Sequence, residues 1–181
     1  MKIKRIITGS LEENCYVLII DNNCLVIDPG DDIDKIKEEI KDYNLLGILI
    51  THHHFDHVGA LNDLLNYKEV PVIDYKINEE NISIDKFNFK IIKTPGHTSD
   101  SISFYFEENN LMFVGDFVFK NSIGRTDLPT GNDIEMVKSI NKIKTYDKNT
   151  ILYPGHGEST TIDDEIKNNY FFLSVKSFGD F

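Results

Sequence analysis

Residues 51–59 read THHHFDHVG and place a group of potential metal ligands directly after an apolar run. The pattern is His-x-His-x-Asp-His, and its members are His52, His54, Asp56 and His57. Imidazole and carboxylate groups are ligands that zinc, iron and manganese accept in proteins. Without a cation, so many clustered donors would leave electron pairs unsatisfied. The stretch therefore predicts a metal site in preference to a solvated histidine-rich loop.

The chain around this stretch predicts a strand followed by a helix. Residues 45–51 are apolar and partly β-branched, as in a buried parallel strand, and residues 56–65 have the apolar spacing of a short helix. Side chains two positions apart share a face of an extended segment, so His52 and His54 can hold one ion. Asp56 and His57 fall near the helix start, where they can turn towards a second ion.

The remaining histidines and one further aspartate occupy equivalent positions. His97 and His156 each follow Pro-Gly, and Asp116 follows a glycine, in each case at the end of an apolar run. Glycine beside a ligand lets the backbone approach a crowded centre without a Cβ clash. All six histidines lie in such turns, so the sequence predicts one metal centre built from several strand ends. His53 is not expected to be a ligand.

Composition limits the classes of partner. The 181 residues predict a single domain over residues 1–181, with the 40% hydrophobic and 27% charged content of an ordinary globular protein. A net charge of -11 argues against nucleic acid or an anionic membrane surface as a partner and leaves a small-molecule substrate. Cys15 and Cys24 form no metal-type spacing or disulfide framework, and no signal peptide or membrane-spanning run is visible. We therefore expect a cytoplasmic protein.

Apolar patterning predicts the remaining elements. The predicted strands are residues 2–8, 15–20, 24–27, 45–51, 70–74, 87–92, 101–106, 111–114 and 150–153, and the first three should form an antiparallel sheet. The predicted helices are residues 31–43, 56–65 and 133–146. Asp31 or Asp32 is expected to cap the first helix. The predicted helix over residues 133–146 should bury Ile134, Val137, Ile140 and Ile143. Residues 117–132 are predicted to form a functional loop, and the tail aromatics Phe171, Phe172, Phe178 and Phe181 a packing segment.

Five ordered motifs, THHHFDHVGA, TPGHTSDS, the Gly115-Asp116 step, SIGRTDLP and YPGHGESTT, resemble the metallo-β-lactamase superfamily, in particular its short glyoxalase II-like hydrolases. The resemblance implies an α/β fold, a four-layer αββα sandwich with metals at one edge between two sheets. It also implies two divalent metal ions, with zinc expected and iron or manganese as alternatives. Carried over by position, it assigns His52, His54 and His97 to one metal, Asp56, His57 and His156 to the other, and Asp116 to both.

The resemblance also implies an activity, the hydrolysis of a thioester such as lactoylglutathione. Two bridged cations would deprotonate a shared water to give the hydroxide nucleophile, and Asp56 would orient it or receive its proton. The chain ends before the C-terminal helical domain of full-length glyoxalase II, which weakens the expectation for glutathione. The alternative is a persulfide dioxygenase with one iron on His52, His97 and Asp116. A β-lactamase is less favoured because those enzymes usually carry cysteine at the position of Asp116, and a non-catalytic metal-binding protein is least favoured.

Several residues have two interpretations. Arg125, in the SIGRTDLP motif, can receive a substrate carboxylate or pair with Asp127, and we favour the pairing. Asp28, in the Asp-Pro-Gly step, can support a ligand histidine or cap a turn. Asn121 and Thr130 stand where glycine is usual in the family that the chain resembles. The local backbone geometry of this loop can therefore differ from that of the family.

Overall fold

Two β-sheets face each other in the computed structural model, which describes residues 1–175. The first sheet has the strand order β1-β2-β3-β4-β5, in which β1 to β3 are antiparallel and β4 and β5 run parallel to β3. Its strands are β1 Lys2–Thr8, β2 Glu13–Ile20, β3 Asn23–Ile27, β4 Asn44–Leu49 and β5 Val72–Ile73. The predicted N-terminal antiparallel unit is therefore part of a larger mixed sheet.

The second sheet has the order β13-β12-β9-β8-β7-β6 and is antiparallel except where β12 pairs with β9. Its strands are β6 Asn81–Ile84, β7 Phe87–Lys93, β8 Ile102–Phe106, β9 Leu111–Gly115, β12 Ile151–Pro154 and β13 Thr160–Thr161. A separate two-stranded hairpin consists of β10 Val118–Phe119 and β11 Ser122–Ile123. The helices are α1 Ile33–Ile40, α2 Phe55–Val58, α3 Leu61–Tyr67, α4 Asp133–Ile143, α5 Ile162–Asn168 and α6 Tyr170–Ser174, with a 3-10 turn at Glu107–Asn109.

Three buried clusters define four layers. Between the sheets, Tyr16 and Leu18 of β2 pack with an aromatic group from the second sheet that includes Phe104 and Phe113. The opposite face of β2, with Val17, packs under α1 and α3, and α4, α5 and α6 cover the outer face of the second sheet. Nearly every side chain of β2 is buried because both of its faces are covered. The αββα sandwich and its α/β class are thereby confirmed.

The strand directions place the predicted ligand turns together. β4 ends just before the histidine turn, β9 ends at Gly115, and β12 runs parallel to β9 with Pro154 beside Gly115. β7 is antiparallel to β8, which is antiparallel to β9, so β7 and β9 end at the same edge. Side chains that follow these four strands therefore meet at one edge of the sandwich.

Two of the predicted helices differ from the structure near their ends. The predicted helix 56–65 is two short helices, because the Ala60 N–H leaves the helical pattern and donates to the carbonyls of Pro29 and Gly30, at 3.0 and 3.1 Å. The first helix covers only Ile33–Ile40, and the expected aspartate cap is wrong. Asp32 adopts left-handed backbone geometry, and its side chain accepts from Gly9 N and Lys35 instead of capping α1.

The remaining differences lie between residue 81 and the C-terminal segment. Ile134 is 67% exposed, because it lies about 120° around α4 from Ile140 at 3.6 residues per turn, and Met136 is buried in its place. The loop 117–132 contains the β10–β11 hairpin, and β6, β13, α5 and α6 were not predicted. Phe172 is buried against α4 as a packing residue and Phe171 is partly exposed, whereas Phe178 and Phe181 lie outside the described residues. No helix within residues 1–175 is both long and apolar enough to cross a bilayer.

Gly30 and Gly59 bring the Asp-Pro-Gly turn into backbone contact with the histidine turn. A Cβ on Gly30 would overlap the Asp56 carbonyl oxygen, and one on Gly59 would overlap the Gly30 carbonyl oxygen. We therefore expect Gly30→Ala to destabilise the protein by about 2 kcal/mol or more and to reduce metal retention. Denaturant unfolding and elemental analysis measure the two effects.

Gly47→Ala provides the matched control, because a Cβ there would meet its neighbours only at 3.4 Å. We expect this change to alter stability by less than about 1 kcal/mol. Equal stability of the two variants would contradict the proposed role of backbone contact at Gly30.

Candidate metal centre

The structure brings all seven predicted ligand residues to the same edge of the sandwich. His52, His54 and His97 form one group in which one donor atom from each lies within 4.8 Å of the others, and Asp56, His57 and His156 form a second such group. Asp116 groups with His52 and His57. The grouping matches the arrangement expected from the sequence, while the role of each residue as a ligand stays a prediction.

In the first group, three ring nitrogens converge on one point. His54 Nδ1 lies 3.2 Å from His52 Nε2 and 2.9 Å from His97 Nε2. The Nδ1 atoms of His52 and His97 are already engaged. His97 Nδ1 donates to the Arg125 carbonyl at 2.7 Å, and His52 Nδ1 lies 3.1 Å from Thr51 Oγ1. When His52 and His97 are neutral and protonated on Nδ1, their Nε2 lone pairs point towards His54 Nδ1. A cation shared by these nitrogens makes that arrangement favourable.

Burial favours the neutral form of two histidines in the first group, His52 and His54. The pKa of His52 lies well below its ordinary value because burial disfavours the imidazolium, and the neighbouring His57 and His97 add to the effect. The pKa of His54 is also lowered, first by burial and then by His97. Neutral imidazole is the form that binds a metal ion, so these shifts favour the ligand role.

The second group combines a carboxylate with two imidazoles. His156 Nε2 lies 3.3 Å from Asp56 Oδ2, and His57 Nε2 lies 3.8 Å from the same oxygen. The ring of His156 is fixed from behind, because its Nδ1 donates to the Leu11 carbonyl at 3.0 Å. Each histidine thus turns its Nε2 towards the space that Asp56 faces.

Asp116 lies between the two groups. Its Oδ2 is 3.6 Å from both His97 Nε2 and His156 Nε2, one in each group, and its Oδ1 is 3.3 Å from His57 Nε2. Burial works to raise the pKa of Asp116, but contact with His57 and the charges of His57, His156 and His97 outweigh it, and the pKa falls below its ordinary value. An ionised carboxylate in this position can bridge two cations.

The buried atoms fit two divalent ions. His57 Nε2 and Asp116 Oδ1 are buried and lie 3.3 Å apart, but neither makes a hydrogen bond of accepted geometry within residues 1–175, which is costly unless an ion completes them. A Cβ at Gly155 would overlap Asp116 Oδ1 and lie 2.6 Å from His57 Cε1, so only glycine permits this approach. The imidazole and carboxylate set suits zinc, iron or manganese.

His57 also binds a proton strongly in the metal-free protein. Burial opposes its charged form, but the carboxylates of Asp116 and Asp28 outweigh burial and hold the pKa of His57 well above its ordinary value. The proton and a metal ion compete for His57 Nε2, because His57 Nδ1 is held by Asp28 at 3.0 Å. Metal binding at this group should therefore release a proton.

Asp28 supports a histidine of the centre, which is one of its two predicted roles. Its carboxylate accepts from Thr51 N at 2.7 Å, from Thr51 Oγ1 at 2.6 Å and from His57 Nδ1. Since the Thr51 hydroxyl donates its only proton to Asp28, Thr51 Oγ1 accepts from His52 Nδ1. One carboxylate thus orients a ring in each group.

Two other predicted residues lie outside the groups. His53 turns away, with Nδ1 2.7 Å from Asp100 and Nε2 3.4 Å from Asp74. Arg125 makes a bidentate pair with Asp127, with both N–O distances at 2.7 Å, and the pair lowers the pKa of Asp127 to about 2. The geometry is that of the pairing we favoured. Asn121 and Thr130 both adopt the left-handed backbone geometry that glycine would allow.

Glu13 is a buried acid that the sequence did not reveal, because it stands at a strand start in no recognisable spacing. Its Oε2 accepts from Thr8 Oγ1 at 2.7 Å, and its Oε1 lies 3.9 Å from His57 Nδ1 and has no hydrogen-bond partner in the described chain. Burial raises the pKa of Glu13 from an ordinary 4.5 to about 9, with the charge of His57 opposing. Glu13 is therefore a neutral acid at pH 7 in the metal-free protein.

Replacing Glu13 separates its charge from its packing. Folding raises the pKa of Glu13, so its stabilising contribution is present below pH 4.5 and is lost as the pH rises towards about 9. Glu13→Gln should therefore gain stability relative to wild type across that window. Glu13→Ala should lose about 1–3 kcal/mol, because Thr8 is left unpaired and a cavity remains. Denaturant unfolding of chelator-treated protein at several pH values measures both effects, and a pH-independent difference for Glu13→Gln would contradict the assignment.

Comparison with known proteins places this arrangement in a family. The sequence profile described as "Metallo-beta-lactamase superfamily" matches residues 8–83 and 71–156. "Probable metallo-hydrolase YqgX" of Bacillus subtilis is 34% identical, over 94% of this chain and 97% of the relative. "Hydroxyacylglutathione hydrolase GloC" of Haemophilus influenzae is 32% identical, over 96% of this chain and 99% of the relative.

Solved structures agree with the sequence relatives. The BLEG-1 B3 metallo-β-lactamase superposes with a TM-score of 0.91 at 32% identity and covers 94% of this chain and 99% of that one. TTHA1623 in a di-iron-bound form superposes with a TM-score of 0.85 at 29% identity, covering 93% and 99%. Both the profile and the relatives extend over the histidine turn and the other three turns that carry predicted ligands. The chain belongs to the metallo-β-lactamase superfamily and is similar to its glyoxalase II-like metallo-hydrolases.

Proposed function

We propose that this metallo-hydrolase is a dinuclear hydrolase of thioesters, with lactoylglutathione as the reference substrate. The observation that carries the proposal is the position of Asp116, 3.6 Å from a histidine of each donor group. A carboxylate shared in this way suits two ions that act together on one water and one carbonyl. The name of the relative GloC supports a thioester as the substrate class.

Two bound divalent ions would supply a Lewis acid for the carbonyl and an activated water. The protein holds the rest of the geometry. Asp28 and the Leu11 carbonyl fix the rings of His57 and His156 through Nδ1, so that each Nε2 faces the centre. A donor set held in this way needs little reorganisation during the reaction.

Asp56 is suited to orient the attacking water and to accept its proton. Burial works to raise its pKa, but the contact with His156 and the charges of His57 and His156 lower it below its ordinary value. Asp56 is therefore ionised at neutral pH. Its side chain lines the open groove above the centre, where water and substrate can reach it.

Zinc is the metal we propose, with iron and manganese as alternatives. The imidazole-rich donor set accepts all three, and TTHA1623 has been described with two irons. We further propose a cytoplasmic setting, because Cys15 and Cys24 are both free thiols buried in the helix-facing core of the first sheet.

Lactam hydrolysis is a second candidate, favoured by the likeness to BLEG-1. BLEG-1, at 32% identity, is described as a B3 metallo-β-lactamase. Persulfide dioxygenation on His52, His97 and Asp116 is a third, and the SIGRTDLP form of the groove loop favours hydrolysis over it. Iron content alone would not distinguish them, because a relative holds two irons in this fold.

Metal stoichiometry tests the dinuclear centre. We expect close to two metal ions per chain in wild type, the loss of at least one in Asp116→Ala, and close to one in His57→Ala or His156→Ala. His53→Ala is the matched control, because His53 contacts Asp100 and Asp74 instead of the centre, and it should retain two ions. One ion in wild type, unchanged in the His57 and His156 variants, would refute the dinuclear proposal.

Parallel assays separate the three candidate reactions. Zinc-loaded and iron-loaded protein would be tested for lactoylglutathione hydrolysis, nitrocefin hydrolysis and oxygen uptake with glutathione persulfide. We expect thioester cleavage, and a fall of about 10²–10⁴ in kcat for Asp56→Asn at matched metal content. Oxygen uptake with iron only, without thioester cleavage for any metal, would replace the hydrolase with the dioxygenase.

A further inference from the structure

The groove above the metal centre has an apolar wall that the fold does not require. It encloses about 690 Å³, and its large apolar side chains are Leu11, Phe55, Phe119, Ile123 and Leu128. Phe55 is 75% exposed and Leu11 51% exposed. Of the five, only Ile123 packs against a buried cluster of the described chain. Exposed apolar side chains grouped at a cavity indicate a surface that binds an apolar group.

These side chains come from separate segments that meet at the centre. Leu11 lies in the β1–β2 turn, Phe55 begins α2 inside the histidine motif, and Phe119 belongs to the β10–β11 hairpin. The Phe119 ring contacts the His156 ring edge-on, with centroids 6.0 Å apart. Leu11 and Phe55 also line a neighbouring cavity of about 260 Å³. Both side chains therefore stand between two open spaces, where a bound molecule can cover them.

Apart from the ions of the proposed metal centre, the same groove offers few positive charges to an anionic carrier. Among its described lining residues Arg125 is the only lysine or arginine, and its guanidinium is already paired with Asp127. Lys120, next to Phe119, pairs with Glu158 at 2.8 Å. S-linked glutathione has two carboxylates and one ammonium group, and its carboxylates would have to compete with these acids in a protein of net charge -11. Exposed pairs such as these are weak and can open, so covering the apolar wall should dominate selectivity.

We propose that the groove selects thioesters whose thiol portion is apolar and uncharged over those carried on glutathione. This inference rests on the proposed thioesterase function and refines its substrate class. The acyl group of the reference substrate is small, so the thiol portion fills most of the groove. Leu11 and Phe55 are its specificity residues, because they present the most exposed apolar surface beside the donors.

Two thioesters with the same acetyl group test the preference, one of 2-phenylethanethiol and one of glutathione. We expect kcat/KM to be at least tenfold higher for the phenylethyl thioester. Leu11→Ser and Phe55→Ser should each lower that value about tenfold through KM, with a clearly smaller effect on the glutathione thioester. Tyr170→Ser is the control, because it removes an aromatic ring that is 73% exposed on α6. It should leave kcat/KM unchanged for both thioesters. Metal content is checked in every variant.

A binding measurement separates this inference from the proposed reaction. Calorimetry would compare 2-phenylethyl methyl sulfide with S-methylglutathione, neither of which can be hydrolysed, on metal-loaded protein. Tighter binding of the sulfide that is lost in Phe55→Ser would support the groove preference. If neither thioester is cleaved, the proposed thioesterase activity is refuted, but the binding result still supports the groove preference. Tighter binding of S-methylglutathione, or a loss of glutathione thioester turnover alone in Arg125→Ala, would overturn the inference.

Discussion

The carboxylate of Asp28 fixes the geometry of the sandwich edge that carries the candidate metal centre. It follows β3, and it accepts from the backbone and hydroxyl of Thr51, which follows the neighbouring parallel strand β4. A third bond, from His57, completes its shell. A carboxylate that is only 2% exposed would be strongly destabilising without such partners. With them, a single buried charge sets the separation of two strand ends and the orientation of rings in both donor groups.

The sandwich carries this local constraint to distant parts of the chain. Four strand ends share one edge only because β12 returns parallel to β9 and β7 runs in the same direction. The aromatic layer between the sheets, with Phe104 and Phe113, keeps the two sets of strand ends at a fixed distance. His54 Nδ1 and His97 Nε2, 43 positions apart in sequence, then lie 2.9 Å apart, and Asp56 Oδ2 and His156 Nε2, a hundred positions apart, lie 3.3 Å apart. Packing far from the centre thus supports its geometry.

The sequence predicted which side chains would come together at this edge, because their chemistry and their position after a strand are both local properties. Each of the six histidines belongs to a strand-end turn, and the parallel character of residues 45–51 followed from their apolar run. The break between α2 and α3 was not predictable, since it depends on carbonyls at Pro29 and Gly30 that only the folded chain brings near Ala60. Short polar strands such as β6 exist through pairing with β7, and Glu13 matters through burial. Neither property has a sequence pattern.

Leu11 serves the protein through both its main chain and its side chain. Its carbonyl holds His156, and its side chain forms part of the groove wall. Point mutations that exchange the side chain leave the carbonyl in place, so evolution can vary this wall without a direct loss of metal affinity. Insertions or deletions in the same turn would displace the carbonyl and release the histidine. Divergence of substrate range in this lineage should therefore proceed by amino-acid exchange in the β1–β2 turn, while the length of that turn is conserved.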